Sequence, residues 1–154
     1  MKISIGADHG GFYLREHLLN VLRAASHEVI DQGAHSYNPS DDYPDFAQAV
    51  GEDIANKRAN FGILICTSGI GMSICANKIP GVRAALIHHT EDAKVARRHN
   101  NANILVLSGR YENPESAAER VECFIHTAFE GGRHARRLDR IESIQGSPTT
   151  SVCR

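Results

Sequence analysis

The sequence lacks the features that mark membrane proteins, secreted proteins and general nucleic-acid binders. No apolar run approaches the roughly 18 residues of a membrane-spanning helix, and the start, MKISIGADHGG, becomes polar too early for a secretory signal. The formal net charge is only −1, so there is no general basic surface for nucleic acid or anionic lipid. We therefore expect a cytoplasmic protein whose partners include neither nucleic acid nor membrane.

Cysteine is sparse and carries no metal-binding spacing. The four cysteines show no C-x-x-C pair, and they are Cys66, Cys75, Cys123 and Cys153. Neither a zinc site nor a disulfide framework is indicated, and reduced thiols fit best. The 154 residues are most simply one domain, which we place at 1–145, followed by a polar, flexible tail over 146–154.

Short β-rich runs alternate with helical patterns along the chain. Strands are predicted over 2–7, 28–31, 61–66, 82–87 and 103–108. Helices are predicted over 11–25, from Pro44, from the turn after Cys66 to about Lys78, over 91–99 with Thr90 as N-cap, over about 114–129, and from Arg133. Repeated strand–helix units predict an α/β fold with a five-stranded, mostly parallel sheet.

Polar residues follow four of the predicted strands. They are Asp8 and His9, Cys66 with the turn 67–71, the pair His88 and His89, and the segment 108–110 that ends in Arg110. Ligands of open parallel sheets bind at the carboxyl ends of the strands. Capping of strand ends explains any one of these groups, but a binding site explains the whole set better.

The turn that follows Cys66 has two possible interpretations. Gly69 and Gly71 permit positive φ or close backbone approach, and successive N–H groups would form a nest for a phosphate or an oxyanion. A thiol beside such a nest is a candidate acid/base group. A free cysteine that ends an apolar strand is equally often a buried core residue, so position alone leaves Cys66 open. Cys75 and Cys123 fit the core.

Several nucleotide and phosphate motifs are absent. A cysteine phosphatase requires C-x5-R, but the sixth residue after Cys66 is Met72. No P-loop is present, and G-A-D-H-G-G after the first strand does not match the dinucleotide pattern G-x-G-x-x-G. His88 and His89 have no evident third metal ligand.

Two further groups have both a functional and a structural interpretation. His99 and Asn100 end a helix, where a protonated histidine is favoured and can donate a proton, although a helix-end cap explains them equally well. Arg133 and Arg137 lie on one face of the basic helix. Paired arginines suit a phosphate ester, whereas simple solvation is the usual role of such a run.

The chain resembles the type B ribose-5-phosphate isomerases, within the wider ribose/galactose sugar-phosphate isomerase family. The stretches that carry the resemblance cover nearly the whole chain in order, and they are IGADHGG, DYPDFA, CTSGIGMSICANKIPGVRAA, RRHNNANIL, SGR and GGRHARRLDRI. Some members replace the cysteine with a glutamate six positions later. Here that position is Met72, which leaves Cys66 as the candidate base.

The resemblance implies a Rossmann-like three-layer sandwich that forms a homodimer, or a tetramer, without cofactor or metal. It implies interconversion of D-ribose 5-phosphate and D-ribulose 5-phosphate through an enediolate, with Cys66 as base and His99 assisting ring opening. The implied substrate contacts are Asp8, His9, Tyr43, Thr67, Ser68, Gly69, Ile70, Gly71, Asn100, Arg110, Arg133, His134 and Arg137, the last helix being contributed across the dimer. A hexose 6-phosphate isomerase and a non-catalytic sugar-phosphate sensor are the alternatives.

Overall fold

The structure is a computed structural model that describes residues 1–144, so the predicted tail over 146–154 and its boundary lie outside the described residues. The strands are β1 (Lys2–Ala7), β2 (Glu28–Asp31), β3 (Phe61–Cys66), β4 (Ala84–Leu86) and β5 (Ile104–Ser108). The α-helices are α1 (Phe12–Ala24), α2 (Tyr43–Ala55), α3 (Ile70–Ala76), α4 (Thr90–Asn100), α5 (Pro114–His126) and α6 (Arg133–Ile144). No helix within 1–144 has the length and apolar character to span a membrane.

The five strands within residues 1–144 form one parallel sheet in the order β2-β1-β3-β5-β4. The apolar run FGILIC becomes the central strand β3, which is buried along nearly its whole length. A strand covered on both faces needs apolar side chains at successive positions, which explains the absence of alternation there. The sheet is thus parallel throughout, and the predicted fold class is confirmed.

Helices cover both faces of the sheet and give the molecule three layers. On one face, Leu18 of α1 and Phe124 of α5 pack in the same core cluster as Ile65. On the other face, Val50 of α2 and Met72 of α3 pack with strand residues of β3 and β5. Each fully buried large apolar side chain contributes about 1.5–3 kcal/mol, so these two cores hold the helices against the two faces of the sheet.

Strand β4 is shorter than the predicted 82–87. At its start, backbone N–H groups donate to side-chain amide oxygens instead of to carbonyl oxygens of a neighbouring strand. Asn103 Oδ1 accepts the N–H of Arg83 at 2.8 Å. Asn77 Oδ1 likewise accepts the N–H of the first strand residue at 2.8 Å. The backbone groups are satisfied, but the regular ladder is interrupted.

Two predicted helix ends also differ from the structure. Thr90 is the first residue of α4 rather than its N-cap, and His89 precedes the helix in extended conformation. Helix α5 ends at His126, three residues early, because Thr127 leaves the helical conformation. The hydroxyl of Thr127 donates to the carbonyl oxygen of Cys123 at 2.5 Å.

Candidate active site

The turns after β1, β3 and β5 pack directly against one another. They lie at what we call the carboxyl edge of the sheet, the side at which all its parallel strands end, and the side at which they begin is the amino edge. A Cβ on Gly10 would overlap Thr67 Oγ1, and a Cβ on Gly109 would overlap the carbonyl oxygen of Gly10. The N–H of Gly109 donates to the carbonyl oxygen of Cys66 at 2.8 Å. Glycine is therefore required where the three turns meet, and they form one continuous surface.

The turn after β1 places a buried carboxyl group at this surface. Asp8 is 5% exposed, and its Oδ1 accepts the N–H of Gly10 at 2.9 Å. Burial raises the pKa of Asp8 above its usual value. His9 follows, and its side chain is one-third exposed (33%), so it faces outward from the same turn.

Asp41 orients His9, and it is not among the residues predicted from the sequence. Its Oδ1 accepts a hydrogen bond from His9 Nδ1 at 2.6 Å and one from the His9 backbone N–H at 3.0 Å. A carboxylate only accepts, so the imidazole proton lies on Nδ1 and Nε2 is left for a ligand. This hydrogen bond raises the pKa of His9. Asp41 Oδ2 is buried and has no partner within 1–144.

Cys66 ends β3 with its sulfur held in the following turn. The residue is 5% exposed, and the N–H of Gly69 donates to Sγ at 3.1 Å. Gly69 has a φ of +77°, a conformation that L side chains rarely adopt. The turn thus supplies a backbone donor for the thiolate that a base requires. Ser68 Oγ accepts the N–H of Ile70 at 3.3 Å and tightens the same turn.

Tyr43, the first residue of α2, covers the beginning of α3. A Cβ on Gly71 would lie 2.6 Å from Tyr43 Cζ and 3.0 Å from its hydroxyl oxygen. Gly71 therefore allows the phenol ring to rest on the backbone of the turn. Since Tyr43 remains partly exposed (39%), the ring forms a wall of the surface that contains Cys66.

The residues after β5 support this surface from its other side. Ser108 is fully buried, and its hydroxyl donates to the carbonyl oxygen of Thr67 at 2.8 Å. Arg110 is exposed, and its guanidinium lies 5.8 Å from the ring centroid of Tyr111. Ser108 is therefore a structural residue, whereas Arg110 is available to a ligand.

His99 lies in a different cluster, at the end of α4. Its ring stacks on His134 with a centroid separation of 4.3 Å and an angle of 4°. Glu130 Oε2 lies 3.8 Å from His99 Nε2 and 3.6 Å from His134 Nε2, while its Oε1 accepts from Arg98 at 2.5 Å. The Arg98 bond lowers the pKa of Glu130, and burial lowers the pKa of His134. The cluster therefore holds one anionic carboxylate beside two stacked imidazoles.

The arginines of α6 lie next to this cluster. Arg133 and Arg137 are exposed, and within 1–144 Arg137 makes no ion pair. Arg133 Nε lies 3.5 Å from His134 Nε2. Asn100, also exposed, lines a cavity of about 390 Å³ between α4, α6 and the edge strand β4. Apart from Asn100, that cavity contains none of the predicted site residues.

The two clusters lie at opposite edges of the sheet. The segment after His99 meets the amino end of β3, where the N–H of Gly62 donates to the carbonyl oxygen of Asn103 at 2.9 Å. Cys66 ends the same strand four residues later, which corresponds to about 13 Å along a strand. One chain therefore does not bring Cys66 and His99 together.

We name the two groups by their edges. The carboxyl half-site comprises Asp8, His9, Asp41, Tyr43, Cys66, Thr67, Ser68, Gly69, Ile70, Gly71 and Arg110. The amino half-site comprises His99, Asn100, Glu130, Arg133, His134 and Arg137.

A family model described as "Ribose/Galactose Isomerase" matches residues 3–141, which include both half-sites. The chain belongs to the ribose/galactose isomerase family. It is 38% identical over 144 residues to ribose-5-phosphate isomerase B of Escherichia coli, covering 94% of this chain and 96% of that protein. The resemblance inferred from the motifs is thus confirmed.

Solved structures of relatives agree with this family fold. The ribose 5-phosphate isomerase of Thermotoga maritima superposes with a TM-score of 0.90 at 48% identity, covering 92% of this chain and 97% of that one. Ribose-5-phosphate isomerase B of Mycoplasma genitalium, solved with bound ribulose-5-phosphate, gives a TM-score of 0.89 at 39% identity, covering 94% and 95%.

Each half-site of this ribose/galactose isomerase also contains three side chains close enough to hold a metal ion. They are Asp8, His9 and Asp41 in one, and His99, Glu130 and His134 in the other. In each set the ligand atoms lie within 4.8 Å of one another. His88 and His89 belong to no such set within 1–144. The absence of a metal cofactor, implied by the family resemblance, stays a prediction.

Proposed function

We propose that the protein is an aldose–ketose isomerase that interconverts D-ribose 5-phosphate and D-ribulose 5-phosphate. The observation that carries this proposal is Cys66, a thiol at the carboxyl end of the central strand with a backbone N–H donor 3.1 Å from its sulfur. The activity named for the Escherichia coli relative and the ribulose-5-phosphate bound to the Mycoplasma genitalium relative support the choice of substrate.

The proposed reaction moves one proton between adjacent carbons of the open-chain sugar. The Cys66 thiolate removes the proton from C2 of the aldose, and the electron pair forms an enediolate across C1 and C2. The resulting thiol returns that proton to C1, while the hydroxyl proton of O2 passes to O1, which leaves the ketose. The hydroxyl of Ser68, in the same turn, stabilises the negative enediolate oxygen, where a hydrogen-bond donor has most effect on rate, while the Gly69 N–H donates to the Cys66 sulfur.

The amino half-site supplies the other two requirements of the reaction. His99 donates a proton to the ring oxygen as the C1–O4 bond breaks, and the C1 hydroxyl releases its proton to solvent as the aldehyde forms. Arg133 and Arg137 hold the phosphate. Both guanidinium groups are exposed and have no carboxylate partner among residues 1–144, which suits them to bidentate binding of phosphate. Binding of the phosphate, remote from the reacting carbons, positions C1 and C2 beside the sulfur.

A homodimer is part of the proposal, because one chain separates its two half-sites. Ile70 and Ile74 of α3 are 56% and 59% exposed, and they form an apolar strip beside the turn of the carboxyl half-site. Exposed apolar residues of this kind favour contact with another protein surface. A two-fold related second copy that covers α3 brings its amino half-site to Cys66 and completes two equal sites.

The cytoplasm is the proposed location. The three cysteines within 1–144 are all free thiols, and they are Cys66, Cys75 and Cys123. Free thiols persist in a reducing compartment, and the proposed base must remain reduced to act.

An isomerase assay with the Cys66→Ala variant tests the proposal. We expect kcat on ribose 5-phosphate to fall by about 10²–10⁴-fold, the contribution typical of a positioned acid/base group. Binding of ribulose 5-phosphate should change little, because the phosphate is held by other residues. Cys75→Ala is the matched control and should retain activity, because Cys75 belongs to neither half-site. Its Sγ lies 3.8 Å from the carbonyl oxygen of Pro44. Near-wild-type turnover by Cys66→Ala would refute the assignment of the base.

The same assay distinguishes the alternatives. Ribose 5-phosphate, allose 6-phosphate and galactose 6-phosphate are compared by kcat/KM, and we expect the pentose to be preferred by the wild-type protein. A higher kcat/KM for either hexose would assign the protein to that substrate. Binding of all three without exchange of solvent deuterium into the sugar would indicate a sensor.

A further inference from the structure

A third group of metal-ligand side chains lies outside both half-sites, and we call it the α5-end cluster. It consists of His27, Glu122 and His126, and one ligand atom from each lies within 4.8 Å of the others. His126 Nε2 and Glu122 Oε2 are 3.0 Å apart, and the rings of His27 and His126 are 6.5 Å apart by their centroids. The Met1 amino nitrogen, 3.3 Å from His27 Nδ1, is a further polar group at the cluster.

The local structure explains why these side chains converge. Glu122 and His126 are four residues apart on α5, so they lie on the same helix face. His27 reaches that face from the turn between α1 and β2. The N–H of His27 donates to the carbonyl oxygen of Leu22 at 3.0 Å, which fixes the backbone of this turn. Ser26, just before it, has a positive φ of +62° that reverses the chain direction. The third ligand therefore comes from a fixed position on another element.

The donor set matches the preference of zinc and related ions. Two imidazoles and one carboxylate are the ligands of many three-residue zinc sites, in which water takes the fourth position of a tetrahedron. Zn²⁺ bonds of about 2.0–2.2 Å place neighbouring ligand atoms a little over 3 Å apart. The Glu122–His126 pair already has this spacing, and a small movement of His27 would complete the set.

The α5-end cluster is remote from Cys66. His27 immediately precedes β2, and β2 pairs with the beginning of β1, whereas Cys66 lies at the opposite edge. The six residues of β1 separate the two edges by about 17 Å. The cluster also shares no residue with the amino half-site, although both lie at the amino edge of the sheet.

We infer that the α5-end cluster is a binding site for a divalent first-row transition metal ion, with Zn²⁺ as the best-matched ion. The bound ion would tie the α1–β2 turn to the end of α5. These two segments are almost 100 residues apart in the sequence, so the ion links parts of the chain that the fold alone brings together. Such a site stabilises the folded protein because the unfolded chain does not hold the three ligands together. The site does not take part in the proposed isomerase reaction.

Zinc titration of the full chain, followed through the histidine side-chain signals by NMR, tests this inference. We expect Zn²⁺ to shift the ring signals of His27 and His126. Saturating Zn²⁺, at about 100 times the dissociation constant, should raise Tm by roughly 5–10 °C for a chain of this size.

Variants locate the ion. His126→Ala and Glu122→Gln should each weaken Zn²⁺ binding by at least about tenfold, since loss of even an outer-shell partner costs about 10–100-fold. Both side chains are largely exposed, at 60% and 45%, so both variants should fold. His88→Ala, which removes an exposed histidine outside the three clusters, is the matched control and should bind as the wild type does.

Two results would overturn the inference. One is Zn²⁺ binding that both cluster variants leave unchanged, together with ring shifts confined to His9, His99 or His134, which would place the ion in a half-site. The other is no saturable Zn²⁺ binding at all. Isomerase activity is measured separately in chelator, so failure of the metal site and failure of the proposed function are distinguishable.

Discussion

At the scale of single residues, the pair His9–Asp41 shows how one partly buried carboxylate fixes the position of a histidine. The short hydrogen bond of 2.6 Å and the backbone bond of 3.0 Å fix both the ring and the turn that carries it. The carboxylate favours the protonated imidazole and raises the pKa of His9. His9 therefore keeps its positive charge to higher pH than an isolated histidine, which suits the contact with a sugar phosphate that we propose for it.

Asp41→Asn tests this arrangement. An asparagine removes the charge but keeps the shape, so the pKa of His9 should fall toward its ordinary value. We expect the alkaline limb of the kcat/KM profile to move to lower pH. At neutral pH we expect kcat/KM to fall about tenfold or more, as the loss of a hydrogen bond between charged groups predicts. Asp42→Asn, at the exposed neighbouring residue, is the control and should keep the wild-type profile.

The stability of the same variant depends on pH with a defined sign. The folded-state pKa of His9 lies above its unfolded value, so the stabilisation from Asp41 is complete below the unfolded pKa. It is lost as the pH rises through the folded pKa. Urea unfolding at several pH values should therefore show the largest deficit of Asp41→Asn in acid and a smaller one in alkali. A deficit that grows with rising pH would contradict this account.

At the scale of elements, the turn between β3 and α3 determines where Cys66 points. Gly69 combines a positive φ of 77° with close packing: a Cβ there would overlap Leu86 Cδ1 and lie 3.0 Å from the carbonyl oxygen of Leu107. The same residue donates the hydrogen bond to the Cys66 sulfur. The positive φ of the turn, its packing against Leu86 and Leu107, and the hydrogen bond to the Cys66 sulfur thus all depend on Gly69.

Gly69→Ala and Gly81→Ala separate these effects. Gly81 also has a positive φ, of 82°, but nothing lies within 4 Å of a Cβ placed there. Gly81→Ala should therefore cost only the backbone term of about 1–2 kcal/mol. Gly69→Ala should cost about 1–3 kcal/mol more, because a methyl group is forced into a packed region. Urea unfolding measures both, and equal costs would show that packing at Gly69 is unimportant.

At the scale of the whole molecule, the parallel sheet separates the two half-sites because its two edges face in opposite directions. The proposed dimer predicts that variants affecting different half-sites complement each other. Cys66→Ala and His99→Ala chains, co-expressed and purified as a heterodimer through two tags, should give one intact and one doubly altered site. We expect about half the wild-type kcat per dimer, since a two-fold dimer has two equivalent sites.

The matched control combines two variants of the same half-site. A heterodimer of Cys66→Ala with Asp8→Ala has no intact site and should stay inactive. Recovery in that control, or no recovery in the Cys66→Ala and His99→Ala heterodimer, would contradict a site shared between subunits.

Sequence alone was sufficient for the existence and order of the local elements, though not for every boundary, and for the residues of the carboxyl half-site other than Asp41. The apolar run before Cys66, the helical stripes and the polar strand ends are properties of adjacent residues, and periodicity reports them directly. Parallel strands then place all the strand ends at one edge, so the grouping of Asp8 with Cys66 followed from topology. Motif resemblance identified the family because its residues recur in order over nearly the whole chain.

Tertiary structure alone decided which distant side chains meet. Asp41 pairs with His9 across 32 residues, and the adjacent Asp42 looks the same in the sequence. His99 stacks on His134 rather than approaching Cys66, and His27 reaches Glu122 on α5. The physical reason is that backbone periodicity is encoded by neighbouring residues, whereas these contacts depend on how whole elements pack on the two faces and edges of the sheet.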